Sequence, residues 1–185
     1  MLMVLPVPRF TIDMLDDFPD DGNRYELLEG ILLVTPAPAW DHQVIATRLA
    51  VMLANAVGAD AQVVAVGAIQ RGKNTQLQPD ILVVPPGYGP KANWRQIHGW
   101  WLAVEVMSPS SRIYDREVKR AAYLALGVQE YWLVDPRSRS IEIWAPGKKK
   151  GTIVTDSLTW RPASLDREII LELPEIFGET PRKAF

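Results

Sequence analysis

Two almost unbroken apolar runs, ILVV at 81–84 and WWLAVEVM at 100–107, constrain this 185-residue chain more than any other feature. A strand buried on one face alternates apolar and polar residues. A strand without alternation has both faces covered, so these runs predict the centre of a sheet sandwiched between other layers. Each run meets an acid: Asp80 opens the first and Glu105 sits inside the second. Burying an unpaired carboxylate costs several kcal/mol, so each must meet a cation, a metal or strong donors. On neighbouring strands the pair could share one divalent ion, and oxygen ligands of this kind suit magnesium or manganese.

The rest of the chain supplies the covering layers. RYELLEGILLVT at 24–35 reads as a hairpin turning at Glu29-Gly30, after a polar lead-in over 1–23. A helix is expected from Asp41, acting as its cap, to Gly58, with Ile45, Leu49, Met52, Leu53 and Ala56 inward. A further strand is expected over 61–69, and PPGYGPKANW reads as a surface loop. After the turn SPSS at 108–111, a second helix over about 114–126 presents Val118, Ala121, Ala122 and Ala125 as its apolar stripe and ends at Gly127. Strands at 128–135 and 140–145 follow, then a C-terminal extension over 147–185 read as further strands ending near Leu173 to Phe177. The expected architecture is one mixed α/β domain with helices on both faces of its sheet.

On the second helix Asp115, Lys119 and Ala122 or Tyr123 share a face, from which Lys119 could reach a carboxylate pair on the sheet. An inert buried ion network of Asp80, Glu105 and Lys119 fits that spacing equally well. GAIQRGKN at 67–74 imitates a phosphate-binding loop, but Asn74 replaces the required hydroxyl and Pro79 opposes the following helix, so a strand turn is the better reading. His42 lies on the inward side of its helix, and His98 reads as a surface residue.

Composition narrows the chemistry. Zero cysteines exclude disulfides, thiolate metal sites and cysteine nucleophiles, and two histidines make a histidine-rich zinc site a poor expectation. The longest stretch free of charge is 11 residues, against the roughly 20 that span a bilayer, so no membrane segment is expected and a cytoplasmic location is. The net charge is −2, and Lys148 to Lys150 reads as a solvated turn. Seven tryptophans, too many to leave at the surface, lead to the expectation of a homo-oligomer, most simply a homodimer.

The ordered series RYELLEG, Pro79-Asp80, VEVMSPSS, Asp115 with Lys119, LGVQEYWLVDP and LPEIF resembles the bacterial family of putative restriction endonucleases, a branch of the PD-(D/E)XK nuclease superfamily, from about residue 10 to 178. The resemblance implies a restriction-endonuclease-like core, a central mixed sheet flanked by helices, with the N-terminal hairpin and C-terminal strands added. It implies a magnesium-dependent endonuclease acting on DNA, with Asp80, Glu105 and the carbonyl of Val106 or Met107 as metal ligands. In the superfamily a lysine follows the second acid by two residues; here that position is Met107, and Lys119 is the substitute from the following helix. Glu26 and His42 fall on positions that recur in the family and join the candidate site. A nuclease-like scaffold that binds nucleic acid or a partner without cutting stays open as the alternative.

Overall fold

The structure is a computed structural model describing residues 9–108, 114–162 and 165–178. Its first hairpin pairs β1 (Arg24–Leu28) with β2 (Ile31–Thr35), setting Leu28 opposite Ile31. Both turn residues, Glu29 and Gly30, have positive φ (52° and 84°), the two-residue geometry whose twist suits flanking strands. The first helix, α1 (Trp40–Val57), starts before the residue expected to cap it. Ala39 is the N-cap, without a side-chain bond, and Asp41 lies inside the first turn, where its charge still complements the helix dipole. Ile45, Leu49 and Leu53 point inward as expected, joined by His42, Ala46 and Val57, while Met52 and Ala56 are only half-buried.

The run at 61–69 does not make one strand. It divides between β3 (Gln62–Ala65) and β4 (Ile69–Arg71), which belong to different sheets. The corner is Val66, at φ 54°, a conformation that costs a residue with a Cβ about 1–2 kcal/mol. Its N–H donates to the Asp80 carbonyl at 2.9 Å, tying the corner to the start of β6 (Ile81–Val84). Between them, β4 and β5 (Thr75–Leu77) form a hairpin, so GAIQRGKN is a strand turn.

The chain continues through β7 (Leu102–Val106), a π-helical segment Tyr114–Lys119, α2 (Arg120–Leu126), β8 (Glu130–Asp135), β9 (Ser140–Trp144), β10 (Thr152–Val154), β11 (Ser157–Trp160) and β12 (Ile169–Glu172). It closes with α3 (Leu173–Phe177), a correction to the all-strand tail: Pro174 suits a first helical turn, and Gly178 ends it in the left-handed region. The expected turn at 109–111 and the residues from 179 onward lie outside the described residues.

The central sheet has the order β10-β9-β8-β7-β6-β3; β7 and β8 are parallel, joined through α2, and its other pairs are antiparallel. Every residue of β6 and β7 is buried, because the sheet is covered twice. On one face Ile81, Val83, Val104 and Trp132 pack with Leu49 and Leu53 of α1 and with β11, β12 and α3. On the other, Leu82, Ala103, Tyr131 and Leu133 pack with Tyr123 of α2 and with Leu33, Ile69 and Leu77 of a smaller sheet, ordered β2-β1-β5-β4. This is the expected mixed sheet flanked by helices, with the hairpin and strands added. Five of the seven tryptophans, Trp100, Trp101, Trp132, Trp144 and Trp160, are buried within the chain, so the surface argument for a homodimer keeps only Trp40 and Trp94. No helix among the described residues is long and apolar enough to cross a membrane.

Candidate functional site

The antiparallel register of β6 on β7 sets Ile81 opposite Val104, so Asp80 and Glu105 occupy the next positions along the same two strands. Asp80 caps the end of β7, accepting the N–H of Val106 at Oδ2 (2.8 Å). His42 Nε2 lies 3.0 Å from the same oxygen, and Arg24 Nη1, from the start of β1, lies 3.0 Å from Oδ1. The inward side of α1 thus delivers His42 to the acid, while its Nδ1 is buried without a hydrogen-bond partner.

Glu105 points to the opposite sheet face from Val104 and Val106, toward the segment that precedes α2. Lys119 Nζ lies 3.1 Å from Glu105 Oε1, 2.7 Å from Glu26 Oε2 and 3.9 Å from Asp115 Oδ1. Tyr123 donates to the same Glu105 Oε1 at 2.8 Å, so Oε2 carries neither contact. Glu26, fully buried on β1, accepts the N–H of Gln78 through Oε1 at 2.7 Å. Asp80, Glu105, Lys119, His42, Asp115, Arg24 and Val106 line one pocket of about 140 Å³, whose rim is the Thr35–Ala39 loop; Glu26 lies behind Lys119.

The second helix therefore buries a different face from the one its alanines predict. Asp115, Lys119 and Tyr123 are buried, while Ala121 and Ala125 are exposed. Helical periodicity rewards an apolar stripe, but the surface beneath this helix carries carboxylates, and a polar face satisfies them better. The π-helical turn moves the spacing by one residue just where Asp115 and Lys119 enter the pocket, a device frequent at functional sites.

The electrostatics separate the two strand acids. Burial alone would push Asp80 up, but the His42 hydrogen bond, the Arg24 charge and the Val106 N–H outweigh it and hold the carboxyl below its ordinary value. Glu105 goes the other way: complete burial pushes it well above the usual range, Lys119 offsets this only in part, and Asp80, Asp115 and Glu26 add repulsion. Burial would lower Lys119, but Glu105, Glu26 and Asp115 reverse that and keep it charged. Carboxyls pushed apart in this way mark sites with divided roles. Tyr123→Phe, which deletes one donor to Glu105 and little volume, is expected to cost about 1–3 kcal/mol in urea unfolding.

Among the described residues no group of three or more His, Asp or Glu side chains could by itself hold a metal ion. The donor set nevertheless fits magnesium, which takes one or two carboxylates and fills its octahedron with water and phosphate oxygens. Among the described residues, four carboxylates, Glu26, Asp80, Glu105 and Asp115, gather here with Arg24 and Lys119, an acid-rich setting of the kind that a divalent ion occupies. Sequence reasoning singled out the two acids, the lysine, Glu26 and His42, and the structure brings all five together. It missed Arg24, which as the first residue of a hairpin looks like an ordinary strand-edge cation, although its even spacing from Glu26 puts both on one face.

Residues 12–177 match the profile of the Uma2 family, described as putative restriction endonuclease. A comparison with curated proteins finds no match. Among solved structures, the crystal structure of a putative nuclease belonging to DUF820 from Anabaena variabilis ATCC 29413, at 1.96 Å resolution, is similar in fold: the TM-score is 0.71 at 18% identity, covering 91% of this chain and 97% of that one. With the match spanning all the site residues and nearly the whole described chain, the protein belongs to the Uma2 putative restriction endonuclease family.

Proposed function

We propose that the chain is a divalent-metal-dependent endonuclease that hydrolyses DNA phosphodiester bonds, working with magnesium or manganese in the cytoplasm. The observation that carries this reading is the placing of Asp80 and Glu105 at facing positions of adjoining strands, in one pocket with Lys119 and Arg24. Asp80, Glu105 and the Val106 carbonyl would hold the ion. A bound divalent ion supplies Lewis-acid polarisation of the phosphate and a water of lowered pKa.

The chain's own groups do the rest. Lys119 brings a fixed positive charge to the pocket, where it can neutralise a phosphate oxygen or orient the attacking water. Arg24 and His42 hold the Asp80 carboxylate in place from two sides, so that little reorganisation is needed when phosphate arrives. Glu26 and Tyr123 do the same for Lys119 and Glu105. Supercoiled plasmid should be nicked in magnesium or manganese and left intact in EDTA.

One observation favours a second reading, a non-catalytic nuclease-like scaffold. Asp80 is already met by Arg24, His42 and Val106, and Lys119 by three acids, so the network is close to self-sufficient. That reading expects no divalent-dependent cleavage.

A further inference from the structure

The pairing of β7, β8 and β9 sets Glu105 beside Leu133 and Leu133 beside Glu142, so the two glutamates share one sheet face two strands apart, about 10 Å. The same helical segment covers both. Lys119 stands over Glu105, and three residues earlier Arg116 Nη2 lies 3.0 Å from Glu142 Oε2. A turn further along, the Arg120 guanidinium lies 4.1 Å above the Trp144 ring. The β9–β10 turn abuts this row: a Cβ on Gly151 would fall 2.6 Å from Glu142 Cγ and 2.7 Å from Trp144 Nε1. Lys148, Lys149 and Lys150, all exposed, immediately precede that glycine.

We propose that this face, running from the pocket past Arg116 and Arg120 to the Lys148–Lys150 turn, binds the sugar-phosphate backbone of duplex DNA. The proposal rests on the nuclease reading and adds where the duplex lies. Between Arg116 and the lysine turn, five cations among the described residues meet three acids: Glu142 under Arg116, Glu117 3.4 Å from Arg120, and Glu130 near Lys148. The patch is therefore positive on a chain whose net charge is −2, and its first 30 residues, five charges negative, would repel the same ligand. Exposed lysines on a turn lose little by gripping phosphate, because the attraction of Lys148 to Glu130 is a weak one across solvent. Such contacts set register and affinity, not sequence preference.

The test is a salt titration of fluorescent duplex binding in EDTA, with the full chain and the triple variant Lys148→Ser, Lys149→Ser, Lys150→Ser. Each phosphate contact contributes about 0.9 to the slope of log K on log salt, so the slope should fall by about two to three and the affinity at least about tenfold near 0.1 M salt. The melting temperature should not move. Lys73→Ser, Lys91→Ser and Arg95→Ser together remove the same charge elsewhere on the surface and should leave both nearly unchanged. Wild-type affinity and slope in the turn variant, or an equal loss in the control, overturns the proposal. If the wild type nicks plasmid while the turn variant binds normally, the surface fails and the nuclease reading stands. Turn-dependent binding without nicking in magnesium or manganese leaves the surface standing and removes the nuclease reading.

Discussion

Lys119→Ala is expected to destabilise the protein by about 3–5 kcal/mol, the usual cost of breaking a buried ion network from one side. The side chain is only 4% exposed and stands within 4 Å of Glu105, Glu26 and Asp115, so its loss removes the buried cation that these three carboxylates share. Burial already pushes Glu105 well above its ordinary value, and without Lys119 the main opposing charge is gone. Urea unfolding with an unchanged m-value would show that the native state, rather than the denatured ensemble, has changed. The same variant, assayed below its melting temperature, should lose nicking rate with little loss of metal affinity, because the lysine acts on water or phosphate. A Lys119→Ala protein that melts and cuts like wild type would contradict both roles.

The second large effect is on activity. Asp80→Asn and Glu105→Gln should each lower magnesium-dependent nicking about a thousandfold or more, since several kcal/mol of transition-state stabilisation depend on the ion. These replacements keep shape and an acceptor oxygen. Asp80→Ala would in addition leave Arg24 and His42 without their shared partner, confusing a ligand effect with a folding effect. Circular dichroism of both amides should match wild type at the assay temperature. Glu105→Gln should melt near wild type, because one acceptor oxygen meets both Lys119 and Tyr123, whereas Asp80→Asn should melt lower, because both Asp80 oxygens accept from donors. Loss of cleavage with retained duplex binding would assign the acids to the ion rather than to the fold. Equal nicking by wild type and both variants would trace the activity to a contaminant and favour the scaffold.

The centre of the fold was legible because its strands are buried on both faces, which leaves an uninterrupted apolar run that few other elements produce. The acids were legible for the same reason: Asp80 and Glu105 are costly where they stand. What escaped depends on long-range pairing. The run at 61–69 is continuous in sequence, and only the partners of β3 and β4 show that it turns a corner at Val66. On the second helix the face of Asp115, Lys119 and Tyr123 was legible from spacing, but which of two faces is buried was not: the alanines suggested the other, and the supports that decide it, Glu105 and Glu26, come from distant strands. LPEIF, five residues opened by a leucine and a proline, carries too little periodicity to separate a short helix from a strand.

The assignment of Asp80 and Glu105 as a divalent-metal site meets its most direct test in crystals soaked in manganese and measured at the manganese absorption edge. The expected result is an anomalous peak between the two carboxylates, about 2.1 Å from an oxygen of each, with the remaining positions filled by water and a main-chain carbonyl. No peak at millimolar manganese, with Arg24 and His42 still closed on Asp80 and Lys119 on Glu105, would contradict it.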